Sequence, residues 1–460
     1  MLRSFEIVNM KIAYIGGGSR AWARKLMYDL ALEPRISGTV ALYDIDLEAA
    51  LQNEKIGNLI SENKESLGKW HYVAVSSIEE ALHNADFVII SILPGTFKEM
   101  ESDVHLPEKY GIYQSVGDTV GIGGHLRALR AIPIYIDIAN KIKENAPHAW
   151  VINYTNPMSI CTRILYKIFP EIKAIGCCHE VFGTQKLLAD MVKEILKIDR
   201  PKRSEIKVNV LGINHFTWID KASYKNIDLF PLYKEFSTKY YDEGYQNEGN
   251  WEADYFASCN RVKFDLFKQY GLIAAAGDRH LAEFMPHIYL RNLETIEYWK
   301  FRLTPVKWRI LEREQKIKEN KKLINGEMDI RIEESGEEGV GIVAALLGLE
   351  DLITNVNLPN YGQIKGLPKG AIVETNVLIQ KDSVRPIYAG LLPPDLNNLM
   401  LRHLYNQESI VEAYLTKNKQ VAINAFLNDP MLILPRGQAM QLYDEMLQNT
   451  KSYLPEWILK

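Results

Sequence analysis

The sequence predicts an α/β protein with a Rossmann-type, doubly wound parallel sheet that is followed by an α+β domain. Two observations support this fold class. Short apolar segments alternate with amphipathic segments of helical length through the first part of the chain, a pattern typical of parallel sheets with helices on both faces. A glycine-rich turn also joins the first predicted strand to the first predicted helix, as in nucleotide-binding βαβ units. We place the domain division after residue 200, giving domains 1–200 and 201–460.

The predicted elements of the first domain follow one another as βα units. They are strands at 11–15, 38–43, 85–91, 150–155 and 172–177, and helices at 21–32, 124–144 and 157–169. We expect the sheet to close near Cys178. Beyond a polar connection, residues 205–218 show the apolar alternation of one strand. The charged run 312–322 predicts the solvated face of a helix.

Composition limits the classes of partner. The chain has 460 residues, of which 47% are hydrophobic and 24% charged, enough for a large core. A net charge of −4 supplies no basic field for nucleic acid or for an anionic membrane. No apolar run reaches the roughly 18 residues of a membrane span, and the N-terminus lacks the apolar core of a signal peptide. Four cysteines without framework spacing favour a reducing, cytoplasmic location.

A dinucleotide-binding motif occupies the first predicted turn, with the sequence Gly16-Gly17-Gly18-Ser19-Arg20-Ala21. Gly16 would make the turn, Gly18 would admit the pyrophosphate close to the backbone, and Ala21 would allow close packing of the helix whose N-terminus faces the phosphates. Ser19, in the same turn, is a further candidate for cofactor binding. Asp44 ends the next strand, where a carboxylate accepts ribose hydroxyls and repels a 2′-phosphate. These residues predict an NAD site, with Asp46 as an alternative to Asp44.

Cys178 follows one predicted strand, and His215 lies near the end of another. Taken singly, a buried cysteine or histidine is more often part of the core than a ligand. Together they lie at the strand ends where α/β sheets bind ligands, and thiolate and imidazole suit a divalent transition metal. Two protein ligands leave positions for substrate hydroxyls. We therefore predict a metal site at Cys178 and His215.

Asparagines flank the same strand ends and suit sugar hydroxyls, because amides donate and accept hydrogen bonds. Asn153, Asn156 and Asn214 are the candidates, although Asn156 beside a proline is also a candidate helix cap.

Further along the chain, residues 276–284 crowd Asp278, Arg279, His280 and Glu283 between apolar stretches. Such density predicts the lining of a cleft, whereas a helix start would also explain Asp278. The glycine-rich segment 116–127 is predicted to fold over the cofactor, with a plain connecting loop as the alternative.

In combination these residues resemble glycoside hydrolase family 4, the NAD- and manganese-dependent glycosidases. The motifs that carry the resemblance are Tyr14-Ile-Gly-Gly-Gly-Ser19, Leu42-Tyr-Asp-Ile-Asp46, Asn153-Tyr-Thr-Asn-Pro157, Cys178-His-Glu-Val181, Gly212-Ile-Asn-His215 and Gly277-Asp-Arg-His280. The Cys-His-Glu-Val form is similar to that of the α-galacturonidase branch. An α-linked galacturonide is therefore the leading substrate, with other uronides and α-galactosides left open.

The resemblance implies a redox mechanism. NAD oxidises carbon 3 of the sugar, a base removes the proton of carbon 2, the aglycone leaves from carbon 1, water adds, and the hydride returns. It implies a Mn²⁺ or similar ion on Cys178 and His215, and a homodimer or homotetramer.

The resemblance also implies roles for the remaining candidates. Asn153 would contact the cofactor, and Asn156 and Asn214 would hold hydroxyls of the saccharide. His179 would protonate the leaving oxygen. Asp278 would be the base, with Tyr255 and Tyr289 as substitutes. A uronate carboxylate also needs a cation, and the crowding of Arg279 and His280 beside Asp278 makes either of them the expected partner.

A second class of enzyme shares this architecture. An NAD-dependent dehydrogenase of the malate or lactate type would act on a 2-hydroxy acid through a histidine and arginine pair, without a metal. It would accumulate NADH, whereas the glycosidase regenerates its cofactor in each cycle. A non-catalytic dinucleotide-binding sensor is a third reading, which the predicted metal ligands disfavour.

Overall fold

One mixed sheet of 13 strands runs through the protein, and helices cover both of its faces. The computed structural model describes residues 7–247 and 249–460. The strands are β1 (Val8–Ile15), β2 (Ile36–Tyr43), β3 (Trp70–Val75), β4 (Phe87–Ile90), β5 (Trp150–Asn153), β6 (Lys173–Gly176), β7 (Ile206–Ile213), β8 (Phe216–Tyr224), β9 (Ile227–Asp228), β10 (Ile273–Ala274), β11 (Leu352–Pro359), β12 (Ile364–Lys365), β13 (Ile372–Gln380), β14 (Ser383–Pro386) and β15 (Gly390–Leu391).

The helices lie between and after these strands. They are α1 (Trp22–Leu32), α2 (Leu47–Glu62), α3 (Ile78–Leu82), α4 (Phe97–His105), α5 (Gly121–Asn145), α6 (Met158–Ile168), α7 (Glu180–Leu196), α8 (Phe230–Lys239), α9 (Arg261–Tyr270), α10 (Asp278–Phe284), α11 (Pro286–Tyr289), α12 (Leu293–Tyr298), α13 (Val306–Ile324), α14 (Gly339–Leu346), α15 (Pro394–Thr416), α16 (Lys419–Leu427), α17 (Arg436–Thr450) and α18 (Glu456–Leu459). Within the described ranges, no helix is long and apolar enough to cross a bilayer.

The first half of the sheet is parallel, in the order β3-β2-β1-β4-β5-β6. Alternate side chains of β1 enter different cores. Ala13 and Ile15 belong to the core that includes α5 and α6, whereas Ile12 and Tyr14 belong to the core of α1 and α2. A strand buried on both faces reads as a continuous apolar run, which is why the local pattern was informative. The predicted Rossmann-type fold class is confirmed.

The second half of the sheet is antiparallel and continues from β6. Asn357 of β11 pairs with Gly176, and β13, β7, β8 and β10 follow. The expectation that the sheet closes near Cys178 is therefore wrong, because β11 reaches β6 from a distant part of the sequence that local periodicity cannot link to it. Both sides of the predicted division at residue 200 share this sheet, and the division itself stays a prediction.

Two local expectations also differ from the structure. Residues 205–218 form a hairpin of β7 and β8 instead of one strand, and His215 in its turn has a left-handed φ of 65°. The segment 116–127 is largely buried and leads into α5, and Glu283 accepts hydrogen bonds from the amides of Val116 and Gly117 at 2.7 and 2.8 Å. The segment that was predicted to fold over the cofactor is therefore part of the protein interior.

Candidate active site

The candidate site lies where the parallel strands end. The loop after β1 carries the glycines, the segment after β5 carries Asn156, and Cys178 follows β6. The turn between β7 and β8 adds Asn214 and His215. Ligands bind at this edge of open α/β sheets because successive loops converge there.

The glycine loop is tightly packed against its neighbours. A Cβ on Gly16 would lie 2.0 Å from the Ser91 carbonyl oxygen, and one on Gly18 would lie 2.7 Å from the Ala49 Cβ. Asn53, which sequence reasoning missed, donates from its amide to the carbonyls of Gly17 and Ser19 at 2.7 and 2.8 Å. The loop is therefore a preformed backbone cradle of the kind that fits a pyrophosphate.

Asp44 lies beside this cradle at the end of β2. One carboxylate oxygen accepts from the Gly18 amide at 2.9 Å and the other from the Asp46 amide at 2.9 Å. Asp46 caps α2 and pairs with Arg20. Of the two predicted ribose partners, Asp44 thus adjoins the cradle while Asp46 is used in helix capping.

Asn153 serves the local structure. It is fully buried, and its side-chain oxygen accepts from the Tyr135 hydroxyl at 2.6 Å and the Thr155 amide at 3.0 Å. Its amide nitrogen lies 3.3 Å from the Thr162 hydroxyl oxygen. These contacts leave the side chain occupied, so the geometry gives no support to the predicted contact with the cofactor.

Asp118, His215 and His280 form a compact cluster. One potential donor atom from each lies within 4.8 Å of the others. The two imidazoles stack with ring centres 3.8 Å apart, and Nδ1 of His215 is 2.8 Å from the Thr119 hydroxyl oxygen. Asp118 was not singled out from the sequence, although it lies in the glycine-rich segment.

Charge states in the cluster follow from burial and from Arg127. Burial lowers the pKa of His215 to about 3 and also lowers the pKa of His280. Burial alone would raise the pKa of Asp118, but the positive charge of Arg127 holds it well below its ordinary value. Near neutral pH the cluster therefore offers one carboxylate and two neutral imidazoles, the forms that bind metals or accept protons.

Cys178 lies next to Asn214. Burial raises the pKa of the Cys178 thiol well above its ordinary value, and a hydrogen bond from the Asn214 side chain opposes this shift. Asn214 also donates to Glu374 at 3.3 Å. Cys178 is outside the three-residue cluster, and its role as a metal ligand stays a prediction.

Two buried amide oxygens lack partners at the site. Within the described parts of the chain, the side-chain oxygens of Asn156 and Asn214 accept no hydrogen bond. The amide nitrogen of Asn156 lies 3.5 Å from Asp118, and Pro157, not Asn156, is the cap residue of α6. Unpartnered buried acceptors are costly, so this pair fits a ligand that brings hydroxyl donors.

A second carboxylate borders the cluster. One oxygen of Glu180 accepts from the Gly277 amide at 2.6 Å, and the other lies 3.7 Å from Nε2 of His280. His179 stands at the rim with its side chain 51% exposed, and its Nδ1 is 3.4 Å from Glu337. Glu180 was missed by sequence reasoning, which treated it only as part of a motif.

Asp278 is directed away from this cluster. It is fully buried, and its two oxygens accept from the backbone amides of Val262 and Lys263, each at 3.2 Å, at the start of α9. Tyr289 donates to Asp265 at 2.7 Å, and Tyr255 packs on Trp308 with ring centres 5.4 Å apart. The structure therefore does not bring the predicted base, or either substitute, together with His215.

The two predicted carboxylate partners differ in charge. Burial lowers the pKa of Arg279 to about 10, which leaves it cationic at neutral pH, whereas His280 is neutral for the reason given above. Arg279 donates to the Ser115 carbonyl at 3.2 Å and to the Thr304 hydroxyl. Arg279, not His280, thus provides a positive charge.

Comparison with known proteins gives consistent matches across the chain. The family 4 glycosyl hydrolase model matches residues 11–194, and the model of its C-terminal domain matches residues 210–432. The α-galacturonidase of Thermoanaerobacterium saccharolyticum is 57% identical over 458 residues, which cover 99% of this chain and 98% of that protein.

Solved structures agree with these matches. The crystal structure of lplD from Bacillus subtilis has a TM-score of 0.92 at 57% identity and covers 96% of this chain and 100% of that one. A 6-phospho-alpha-glucosidase from gut microorganisms, in complex with NAD and Mn²⁺, has a TM-score of 0.79 at 19% identity, covering 97% and 99%. The latter likeness concerns the fold.

Proposed function

Because the chain belongs to family 4 of the glycosyl hydrolases, we propose that it cleaves α-galacturonides with the help of NAD and a divalent transition metal. The reaction is oxidation at carbon 3, proton abstraction at carbon 2, elimination of the aglycone, addition of water and re-reduction. The observation that carries the choice of substrate is the 57% identity to an α-galacturonidase along 99% of the chain.

NAD is assigned to the glycine cradle. The close-packed backbone at Gly16 and Gly18 would receive the pyrophosphate, and Asp44 would accept the ribose hydroxyls on the remaining lone pairs of its carboxylate. When bound, NAD takes up and returns the hydride of carbon 3, and the metal ion polarises the oxygen there.

The ion is assigned to Cys178 and His215, with Asp118 as a further donor. Sulfur, imidazole and carboxylate together suit manganese or a neighbouring transition metal better than calcium. The burial-lowered pKa of His215 supports this role, because a neutral imidazole needs to lose no proton to ligate. Replacing Cys178 with serine should weaken Mn²⁺ binding by more than about tenfold in calorimetry; unchanged affinity would remove the thiolate from the ligand set.

The substrate hydroxyls are assigned to Asn156 and Asn214, whose side-chain oxygens lack partners among the residues the structure describes. A saccharide would supply the missing donors. Glu374 holds the amide nitrogen of Asn214, and this contact directs the oxygen of the same amide away from the carboxylate.

His280 is proposed as the base at carbon 2, in place of Asp278. Its Nδ1 is buried without a hydrogen-bond partner in the described chain, and Glu180 lies 3.7 Å from its Nε2. A carboxylate beside one nitrogen orients the ring and stabilises the proton that the other nitrogen accepts. The lowered pKa keeps this acceptor free near pH 7.

His179 stays the proposed acid for the leaving oxygen. Its exposed position at the rim, beside Glu180 and Glu337, suits contact with an aglycone that extends toward solvent. Microscopic reversibility then allows the same residue to assist the entering water.

We also propose a cytoplasmic homo-oligomer. All four cysteines are free, and a reducing compartment would keep Cys178 able to bind metal. Strands β12 and β15 pair in a separate two-stranded sheet. Near this sheet, Tyr361, Tyr388 and Leu391 are each more than half exposed, which suits a subunit interface. Light scattering of the purified protein tests the assembly.

The function is tested with a panel of nitrophenyl α-glycosides that differ only in the sugar, assayed with NAD, Mn²⁺ and a thiol reductant. We expect the α-galacturonide to have the highest kcat/KM, no net NADH, and loss of activity with a chelator. Accumulation of NADH with malate or lactate, and no glycoside cleavage, would instead identify a dehydrogenase.

A further inference from the structure

Two arginine side chains meet at one aromatic ring, and one of them, Arg279, directly precedes His280 of the cluster of Asp118, His215 and His280, here called the His215 cluster. The guanidinium carbon of Arg279 lies 5.1 Å from the centre of the Phe256 ring, and that of Arg309 lies 5.9 Å from the same centre. Arg279 belongs to α10 and Arg309 to the first turn of α13. Two cations held at one ring repel each other unless an anion lies between them.

Neither guanidinium forms an ion pair with a described residue, although the negative charges of Glu180 and Asp118 act on Arg279 from a longer range. Arg279, only 6% exposed, bonds to a carbonyl and a hydroxyl, which are neutral acceptors, and its Nε is buried with no partner. Arg309 forms no ion pair or side-chain hydrogen bond in the same part of the molecule. A buried guanidinium N–H without an acceptor is an incomplete site for an anion.

The charge of Arg309 affects the pKa values of two residues at the site, Arg279 and Asp118. Burial is the main cause of the lowered pKa of Arg279, and the charge of Arg309 lowers it further. The charge of Arg309 also contributes to the lowered pKa of Asp118. Arg309 is therefore close enough to act on a ligand held at the His215 cluster.

We propose that Arg309, together with the free Nε of Arg279, binds the carboxylate of a uronic acid and sets the preference for uronides over neutral galactosides. The identity of the sugar rests on the proposed function. Guanidinium groups suit this task because they hold a carboxylate with paired, charge-assisted hydrogen bonds. Arg279 is held by Ser115 and Thr304, whereas the side chain of Arg309 donates no hydrogen bond to any residue that the structure describes.

Arg309 is the informative position to change. The buried side chain of Arg279 holds Ser115 and Thr304 in place, so its loss would damage structure and specificity together. We would compare R309M with R309K, which keeps the charge without the planar pair of donors, and with K307M. Lys307 is exposed on the same helix and controls for the loss of one positive charge.

The first measurement is calorimetric binding of D-galacturonate and D-galactose to the NAD- and Mn²⁺-loaded protein. R309M should weaken galacturonate binding roughly 10- to 100-fold, as expected for one charge-assisted contact, and leave galactose binding within about twofold. R309K should be intermediate and K307M unchanged. No galacturonate binding by the parent protein, or equal effects of R309M on both sugars, would overturn the proposal.

The second measurement is kcat/KM on nitrophenyl α-galacturonide and α-galactoside, where R309M should lower only the former. If the parent protein binds galacturonate through Arg309 but cleaves neither glycoside, the proposed function fails while the carboxylate site stands. If it cleaves the galacturonide and R309M does so equally well, the carboxylate site fails while the function stands.

Discussion

Individual side chains at the site owe their chemistry to their surroundings. His215 and His280 are neutral near pH 7 because burial disfavours the imidazolium, whereas Arg127 keeps Asp118 ionised against the cost of burial. Burial also disfavours the ionised form of Glu283 and raises its pKa to about 8. The two imidazoles and the Asp118 carboxylate are thus ready to accept protons or to bind a metal ion. The carboxyl group of Glu283, in contrast, is protonated at neutral pH.

Replacing His280 with alanine tests the assignment of the base. General-base catalysis is worth roughly 10²- to 10⁴-fold in rate, so kcat on nitrophenyl α-galacturonide should fall within that range while Mn²⁺ affinity stays near the parent value. Calorimetry and initial rates give both quantities. A variant that loses Mn²⁺ binding and recovers its rate at high Mn²⁺ would show that His280 is a ligand instead.

Glu283 predicts how stability depends on pH. Its folded pKa of about 8 exceeds its unfolded value, so its contribution is complete below roughly pH 4 and is lost as pH rises to about 8, by about 1.4 kcal/mol per pH unit. E283Q cannot ionise and should show a smaller loss of Tm between pH 5 and pH 8. Parallel Tm curves for the two proteins would contradict this reading.

Several residue positions were predictable because they lie near the end of a predicted strand or at the start of a predicted helix. Asn214, His215 and His280 meet at the site for this reason. Asp278 shows the limit: its oxygens cap α9, and the approach of α9 to α10 is a tertiary event that no local pattern reports. The role of Asp118 could not be predicted either, because the glycine spacing around it indicates only backbone flexibility.

At the level of elements, the loop between β1 and α1 depends on close approach. Gly18 contacts Asp44 and α2 so tightly that a side chain would require the loop to move. This unit was predictable because its turn, strand and helix are contiguous in sequence. The β7–β8 hairpin was not recognised, since its turn at Asn214 and His215 lacks the glycine that usually marks a left-handed residue.

Gly18→Ala should weaken NAD binding by at least about tenfold, because the added Cβ would lie 2.7 Å from Ala49 and 2.8 Å from Asp44. Fluorescence titration with NADH measures the effect. Gly183→Ala is the matched control, since its Cβ would contact nothing within 4 Å, and helix propensity favours alanine there. Equal NADH affinities for the two variants would show that the cradle tolerates displacement.

Across the whole molecule, the two halves of the sheet share one core. A single apolar cluster includes Ala13 near the start of the described chain and Ile458 near its end. The pairing of β6 with β11 also makes the sheet continuous. This continuity could not be inferred from the sequence, because it depends on contacts between segments far apart along the chain.

The shared core predicts cooperative unfolding. Since separating the two predicted domains would expose apolar surface of both, the apoprotein should unfold in one calorimetric transition with matching van't Hoff and calorimetric enthalpies per cooperative unit. Two resolved transitions, with one retained in a fragment of residues 1–200, would show that the first domain folds independently.

The central claim is that glycoside cleavage proceeds through proton abstraction at carbon 2. Hydrolysis of nitrophenyl α-galacturonide in D₂O tests it most directly, with NMR of the galacturonate product. Because the proton removed from carbon 2 is replaced from solvent before the hydride returns, the account predicts deuterium at carbon 2 and protium at carbon 3. Product that retains protium at carbon 2 would contradict the account.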